Sequence, residues 1–458
     1  MSLSSSLQIA VQALLADQGA LSVVSNNIAN VNTPGYSREV ANLEESPPFE
    51  FGGLQFGSGV QLVSITGIRD NVLQLRLNQE AQTQGKLDTF STGLNEIQPL
   101  FNEAGGTGLQ SLLSQFFNSF SQLSADPTNL GLREGVISAA QGLAAGFRQT
   151  AAALVTQQQN ADQGVVQTVT NINGLTQQIA ALNAQISSPN GQTSAQNAFI
   201  DQRNHLINQL SQLVDVQSIV ADGNSLTLTT SGGTALVVGN QSFNLQTQTD
   251  PTTGFHDVFA QGQNITSTIT GGNLAGDLQL RDQEIPSIQS SLDTLANGIA
   301  TNVNTQSGKG FDLNGAPGGN IFVPPAAVAG SALNLAVAIT DPSKVAASSD
   351  GTPGNNVNAT ALANIQNQTI TGGQTPLNFY SGIVFQVGND ASTASNSLSA
   401  EQLLIQQLQD QQGSVSGVSV DEEAASLLQF QTAYNSAAQV AAAVSTLMQT
   451  AINMISGT

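Results

Sequence analysis

The 458-residue chain contains no cysteine and only two histidines, His205 and His256. Without cysteine there can be no disulfide, no thiolate metal site and no cysteine nucleophile, so the redox state of the surroundings does not affect the chain. The histidines lie in different predicted domains, and neither a His-Glu-x-x-His nor a Gly-x-Ser-x-Gly pattern is present. The sequence therefore predicts no enzyme, no bound metal and no cofactor.

Positive charge is also scarce, with 10 Lys and Arg against 31 Asp and Glu and a formal net charge of minus 21. A nucleic-acid-binding surface needs clustered cations to displace counterions, so we expect no nucleic-acid partner. No Lys or Arg precedes Arg38, so the basic start of a secretory signal peptide is missing. Gln, Asn and Ser break the first apolar runs before the roughly 20 residues that a membrane span requires, so we expect no membrane insertion.

Both ends of the chain carry apolar residues at alternating spacings of four and three, as in the seam of a coiled coil. Asp17 is the one polar residue in the N-terminal series. The side chains that we expect to pack between the two terminal helices are Leu7, Leu14, Leu21 and Ile28 at the start, and Phe430, Tyr434, Val444 and Met448 at the end. Residues 1–34 and 424–458 are therefore predicted to form paired terminal helices.

These terminal segments almost lack charge, because Asp17 is the only charged residue before Arg38 and none occurs from Ala424 to Thr458. The terminal helices of a monomer normally expose charged side chains to water. Helices covered with Gln, Asn and Ser can face water, yet they carry no ionic penalty when other chains cover them. We infer burial inside an assembly. A terminal helical hairpin that packs on its own domain is the alternative.

The first helical pattern ends in the stretch SNNIANVNTPGYSR, residues Ser25 to Arg38. Pro34 pushes Thr33 out of the helical region, and Pro34 and Gly35 suit the two central positions of a type II turn. We expect the helix to stop near Val31 and the chain to enter a different domain. The asparagines that can cap free backbone groups or take left-handed geometry there are Asn26, Asn27, Asn30 and Asn32.

Between the two ends, helical periodicity dominates residues 35–215 and 277–423, with short strands near the start. Residues 216–276 instead carry short alternating runs separated by Gly and Asn turns, which predict a small β domain. The segment from Gly308 to about Asn358 is predicted to be mostly loop, and a final helix is expected from about Leu398. The predicted fold is mainly α with an inserted small β domain: paired terminal helices as a coiled-coil-like inner domain, a bundle of long helices as the middle domain and a β outer domain.

Three adjacent acids, Asp421, Glu422 and Glu423, stand at the start of the last predicted helix. Adjacent residues on a helix point apart, so these carboxylates cannot readily share a substrate as an acid–base pair. Ser419 or Asp421 can cap the helix, and acids in its first turn interact favourably with the helix dipole. We interpret the three acids as structural.

The stretch from Ser25 to Arg38, Tyr36 included, resembles the N-terminal motif of the flagellar rod, hook and hook-associated proteins. The stretch from Ser416 to Ile455 is similar to the C-terminal motif of the hook-associated protein 1 branch of that family. The internal segment FIDQRNHLINQLSQLVDV, Phe199 to Val216, resembles a segment characteristic of the same branch. These likenesses are spread over most of the chain and are weakest in the predicted β domain.

This resemblance implies a non-enzymatic structural protein of the extracellular flagellum, at the junction between the hook and the filament. In that family paired terminal helices form an inner tube, a mainly helical domain lies outside them and a β domain projects outward. The implied partners are copies of the chain in a ring, the flagellar hook protein, hook-associated protein 3 and an export chaperone that holds the C-terminal region before type III export. By position, residues 25–38 would connect the inner-tube helix to the next domain, and residues 421–423 would open the returning helix.

The chain departs from the family pattern at two points, since Gln429 replaces a frequent basic residue and NSAAQ follows Tyr434 where relatives often have Asn-Ala-Lys. The chain is also shorter than relatives that carry an extra outer domain, so we expect that domain to be absent or reduced. One alternative is a hook or rod subunit of the same assembly. Another is a type III-secreted translocator with lipid-inserted terminal helices, although their Gln and Asn residues would make insertion costly.

Overall fold

The computed structural model of the chain describes residues 3–51, 53–103, 108–187, 193–220 and 226–456. The sequence SSPNG, residues 187–191, is a typical helix-ending stretch and predicts the end of a long central helix; after Ser187 it lies outside the described residues. The same holds for part of the predicted β domain and for the outermost residues of both terminal segments.

Long α-helices make up most of the described chain. In chain order they are α1 (Leu3–Ala29), α2 (Asn71–Ile97), α3 (Leu109–Ala125), α4 (Leu130–Ile186), α5 (Ser194–Leu213), α6 (Gly272–Gln279), α7 (Ile285–Ser307), α8 (Val357–Ala363), α9 (Pro376–Ser416) and α10 (Val420–Ser456). A π-helical turn, Leu280–Glu284, joins α6 to α7.

The strands are short and pair in antiparallel fashion. They are β1 (Glu39–Glu45), β2 (Phe49–Phe51), β3 (Leu54–Phe56), β4 (Val60–Gly67), β5 (Gln217–Val220), β6 (Leu226–Thr229), β7 (Ala235–Val238), β8 (Gln241–Ser242), β9 (Leu245–Thr249), β10 (His256–Ala260) and β11 (Gln263–Asn264). β1 pairs with β4 and β2 with β3, and the later strands form one sheet of order β5-β6-β7-β8 and another of order β11-β10-β9.

The terminal helices α1 and α10 pack along each other in opposite directions, because the start of α10 lies at the end of α1. α1 also packs on the β1–β4 hairpin, where a Cβ on Gly19 would meet the Leu62 side chain at 2.6 Å. With neighbours on two sides, α1 buries small residues such as Ala16 and Ala20 most completely. The prediction that α1 packs against one partner helix is therefore incomplete, because α1 also packs on β1 and β4.

The predicted seam residues of α1 and α10 differ in burial. Val444 is buried, whereas Tyr434 has 37% of its surface exposed. The others are half-buried: Leu7, Leu14, Leu21, Ile28, Phe430 and Met448.

The helical body has one large core to which α2, α3, α4, α7, α8 and α9 contribute. Phe116 is at its centre, with the Phe117, Phe120 and Phe322 rings each 5.2–5.4 Å away between centroids. The prediction that the last helix before the C-terminal seam starts near Leu398 is wrong, because α9 begins at Pro376. Thr375 caps that start, and proline is favoured in the first turn, where its missing N–H costs nothing.

In the described residues, the β5–β11 segment shares its core with the neighbouring helices. Its buried residues, among them Leu228 and Val258, share one cluster with Ile179 of α4, Leu210 of α5 and Leu274 of α6. Such short strands cannot bury enough apolar surface by pairing alone, so they pack on the second half of α4 and on its neighbours. The boundaries proposed from the sequence at residues 216 and 276 remain predictions.

Among the described helices, α1 is long and apolar enough to cross a membrane by length and composition alone. The expectation that polar interruptions would rule this out was wrong, because Ala, Leu, Ile and Val outweigh Gln, Asn and Ser over its length. The same test is passed by core helices of many proteins outside membranes. Here α1 carries the buried Asp17 and packs against protein on two sides.

Candidate assembly site where the terminal helices meet the body

The helix α1 ends in a turn of the predicted type. The Tyr36 backbone N–H donates to the Thr33 carbonyl at 3.2 Å, and Gly35 has φ of +78°, which favours glycine at the third position of a type II turn. Asn30 Nδ2 donates to the Asn26 carbonyl at 3.0 Å, and Thr33 Oγ1 donates to Asn30 Oδ1 at 3.2 Å. The Asn30 side chain therefore satisfies one backbone carbonyl near the helix end.

Asn27 does not cap the helix but joins three segments of the chain. Its Nδ2 donates to the Glu39 carbonyl at 2.8 Å and to Glu423 Oε2 at 3.1 Å. Its Oδ1 accepts from the Glu39 backbone N–H at 2.9 Å and from the Tyr36 hydroxyl at 2.8 Å. Asn27 is 1% exposed, so the expectation of a capping role was wrong: its side chain points toward β1 and α10, away from the helix end.

Glu423 forms the ionic contact of the site. Arg38 Nε donates to Glu423 Oε1 at 2.6 Å, and Arg38 Nη1 lies 3.4 Å from the exposed Glu422 carboxylate. The Glu423 side chain is 2% exposed, whereas the Arg38 side chain is 26% exposed. Since the Arg38 N–H also donates to the Ser416 carbonyl at 2.9 Å, Arg38 ties the beginning of β1 to both sides of the α9–α10 break.

The sequence predicted that Ser419 or Asp421 caps α10 and that the acids of its first turn interact with the helix dipole. Ser419 provides the oxygens at the helix start, accepting from the backbone N–H groups of Glu422 and Glu423. Asp421 is exposed. Glu423 instead turns inward to Arg38, because the α1–β1 connection brings the guanidinium to this end of the helix.

Asp201 of α5 joins the site to the helical body. Its carboxylate accepts from the Ser37 backbone N–H and hydroxyl, both at 2.9 Å, and from Arg69 Nε at 2.7 Å. Glu39 makes a further link, accepting from Ser194 Oγ at 2.9 Å. Sequence reasoning missed these roles of Asp201, Arg69 and Glu39. The FIDQRN stretch was used only for the family resemblance, because its residues do not indicate a contact with a segment more than a hundred residues away.

The carboxylates around Tyr36 affect its ionisation. Burial of the ring raises the pKa of the Tyr36 hydroxyl, and the negative charges of Glu39, Asp201 and Glu423 raise it further. The hydroxyl therefore stays protonated at physiological pH and continues to donate to Asn27.

Two cavities lie on either side of the Pro34–Gly35 turn. One of about 430 Å³ is bounded by α2, α5 and α9, and one of about 340 Å³ is bounded by α1 and α5. In the described ranges no three acids or histidines are grouped so that they could hold a metal ion. The arrangement can orient the α1–α10 pair relative to the body, and we infer that this is its role.

Beyond the exposed Asp421 and Glu422 in the first turn of α10, the exposed surfaces of α1 and α10 carry apolar side chains and no charge. We call these exposed surfaces the outer face of the helix pair. On α1 the exposed apolar side chains include Val11 and Leu15. On α10 they include Leu428, Val440, Leu447, Ile452 and Met454, with Leu447 56% exposed. Apolar patches of this kind mark surfaces that contact other proteins.

Comparison with known proteins identifies the class and then the family. The sequence model of the "Flagella basal body rod protein" family matches residues 7–36, which contain most of α1 and the turn. A rod-type helix that is paired with a C-terminal helix and tied to a helical body defines a structural protein of the bacterial flagellum. The sequence model described as "Flagellar hook-associated protein FlgK helical domain" matches residues 94–322, half of the chain. The chain belongs to the FlgK family of flagellar hook-associated proteins.

Individual relatives agree with this. The chain is 29% identical over 496 aligned residues to flagellar hook-associated protein 1 of Bacillus subtilis, covering 98% of this chain and 97% of the relative. It is 26% identical to the protein of the same name from Salmonella typhimurium, covering 99% of this chain and 100% of the relative. That alignment runs over 553 positions, so the Salmonella protein has segments that this 458-residue chain lacks.

One solved structure shows the same fold. It is described as the flagellar hook junction protein FlgK from Burkholderia pseudomallei, with a TM-score of 0.67 and 20% sequence identity. The match covers 74% of this chain and 100% of the solved one.

Proposed function

We propose that this chain is a structural subunit at the junction between the flagellar hook and filament, acting by self-assembly and not by catalysis. Copies of the chain form a ring through α1 and α10. One side of the ring packs on the hook protein and the other on hook-associated protein 3. Before export through the type III apparatus, a chaperone holds the C-terminal region.

The observation that carries this proposal is the uncharged, apolar outer face of the α1–α10 pair. If no other chain contacted the helix pair, Leu447, Val440 and Met454 would stay in water. Each Å² of apolar surface left in water costs about 25 cal/mol. Neighbouring copies would remove that surface from water. Family membership and the printed title of the Burkholderia structure support the position at a hook junction.

The hydrogen bonds and the ion pair of the assembly site support a mechanical role for residues 25–38. They are made by Asn27, Arg38, Glu423 and Asp201. They fix the direction in which α1 and α10 leave the body, so that every subunit would present its terminal helices at the same angle. The domain division into inner helices, a helical middle and an outer β segment is part of the same proposal.

The first test is removal of the protein from the cell. Loss of a junction subunit leaves hooks without filaments and filament protein shed into the medium, as seen by electron microscopy. Loss of a hook or rod subunit instead leaves no complete hook, and that result would refute the junction assignment. A translocator would bind liposomes as a purified chain, and we expect no binding.

The second test places a charge on the outer face of α10. Leu447→Asp should leave the unfolding temperature of the body unchanged, because the side chain contacts water in the single chain, yet it should block assembly. Burying an unpaired charge between neighbours costs several kcal/mol. Val357→Asp on α8 is the matched control, since Val357 is 57% exposed and lies in the body. Normal filaments in the Leu447→Asp strain would contradict the proposed interface.

A further inference from the structure

A cavity of about 490 Å³ lies between α2, α4 and the α6–α7 segment, at a different place from the assembly site. On the α2 side it is lined by Asp88, Thr92 and Glu96, which share one helix face because they are spaced by four residues. Asp277, from α6, also lines it. This acidic cavity, as we call it, belongs to a part of the molecule for which the junction function requires no ligand.

Asp277 is the unusual residue of the acidic cavity. It is only 9% exposed, and its carboxylate has no hydrogen bond or ion pair with any other residue in the part of the chain that the structure describes. Gly164 of α4 leaves room for it, since a Cβ there would lie 2.6 Å from Oδ1 and 2.7 Å from Oδ2 of Asp277. The helices thus approach closely around a carboxylate that lacks a donor.

Among the described residues, Arg281 is the cation that lowers the pKa of Asp277, but Arg281 donates its hydrogen bonds to other groups. Arg281 Nη1 donates to Asp162 Oδ1 at 2.8 Å, and Nε and Nη2 donate to the Asp282 carboxylate at 2.7 and 2.9 Å. Burial raises the pKa of Asp277 to about 7, and Arg281 only partly opposes this. The charged form of Asp277 therefore lacks the partner that a buried carboxylate normally has.

The lining of the acidic cavity indicates what that partner would be. Besides the carboxylates, it presents the polar side chains of Thr89, Gln157 and Asn160, and its apolar part is formed by Ile97 and Leu280. Within the described ranges the acids are not grouped closely enough to ligate a single metal ion. A cationic nitrogen on an alkyl stem satisfies both kinds of surface, because the nitrogen can donate to oxygens while the stem contacts apolar side chains.

We propose that the acidic cavity binds an alkylammonium group, with Asp277 as its charged partner and Asp88 and Glu96 attracting the cation from the α2 side. The group could come from a lysine side chain of a neighbouring flagellar protein or from a free aliphatic diamine. The inference does not depend on the proposed function, because its main test uses the isolated chain.

The test is calorimetric titration of the purified full-length chain with 1,5-diaminopentane at pH 8. We expect saturable binding that weakens at least tenfold in Asp277→Asn and a few-fold in Asp88→Asn. Binding by the wild type should also weaken at pH 5.5, where Asp277 is protonated, and this pH dependence should disappear in Asp277→Asn. 1,5-Pentanediol and sodium chloride at matched ionic strength are the controls.

Several results would overturn the proposal. They are unchanged binding in Asp277→Asn, equal heats with the diol or salt, no binding at all, or calcium binding at Asp277 in preference to the diamine. Folding of the variants is checked by circular dichroism, and the Asp88→Asn variant tests the cavity without altering a buried residue.

Zero-length carbodiimide cross-linking of assembled flagella then separates the two sources. A peptide that joins Asp88, Glu96 or Asp277 to a lysine of a neighbouring chain assigns the group to that protein. Diamine binding by the isolated chain with no such cross-link in flagella assigns the cavity to a free cation.

Discussion

Replacing Arg38 and replacing Glu423 both break their ion pair, but the two changes should destabilise the docking of α10 on the body by different amounts. Replacing Arg38 with Met leaves the Glu423 carboxylate, whose side chain is 2% exposed, with Asn27 as its one side-chain donor among the described residues. Leaving one member of a buried pair costs about 3–5 kcal/mol, and we take the lower end because Arg38 is partly solvated. Replacing Glu423 with Gln leaves Arg38, which can reach water and Glu422, so we expect about 1–2 kcal/mol, near the lower range for hydrogen bonds to charged groups.

Hydrogen exchange measures this directly, because docking of α10 on the body is a local equilibrium. With a tenfold change for each 1.4 kcal/mol, amides in the first turns of α10 should exchange about 100-fold faster in Arg38→Met and about 10-fold faster in Glu423→Gln. Glu422→Gln is the control, since exposed pairs contribute little, and its exchange should match the wild type. Equal effects of the first two variants, or a larger effect of Glu423→Gln, would refute the reasoning from burial.

Three further predictions concern the body and the ends. Gly85→Ala should lower the free energy of unfolding by about 1–3 kcal/mol, and with it the unfolding temperature, because the new Cβ would lie 2.0 Å from the Gln212 carbonyl oxygen. Gly135→Ala should raise the unfolding temperature slightly, because a Cβ there has nothing within 4 Å. Asp277 has a folded-state pKa of about 7, above its unfolded value, so its contribution to the free energy of unfolding should be lost as pH rises from about 4 through 7. In thermal scans at several pH values, Asp277→Asn should reduce this loss of stability by about 2–4 kcal/mol at pH 8. Limited proteolysis of the isolated chain should trim it to a stable core near residues 35–420, and protease-resistant ends would count against assembly-dependent packing.

Periodicity and charge carried much of the prediction. The mainly helical character of residues 35–215 and 277–423 and the break at Thr33-Pro34-Gly35 could be predicted because apolar spacing and turn residues are local signals. The first half of α9 was missed because its Ser, Thr and Asn residues are weak helix formers, and the helix depends on contacts with α2, α3 and α7. Local sequence carries no information about those contacts.

Even less of the candidate site could be predicted, because it is held together by contacts between distant parts of the chain. Its turn residues and the acids of α10 were identified, but the Arg38–Glu423 pair joins positions 385 residues apart and Asn27 reaches Glu423 across 396. A single sequence does not reveal which of several acids meets which arginine. The role of Asp201 was hidden for the same reason, since its partner Ser37 is 164 residues away along the chain.

The account rests on neighbouring copies covering the outer face of α10, and thiol labelling tests this most directly. The chain has no native cysteine, so Leu447→Cys provides a single reporter on that face. We predict rapid reaction with a maleimide in the isolated chain and at least tenfold slower reaction in assembled flagella that still carry filaments. Equal reaction rates in the two states would contradict the account.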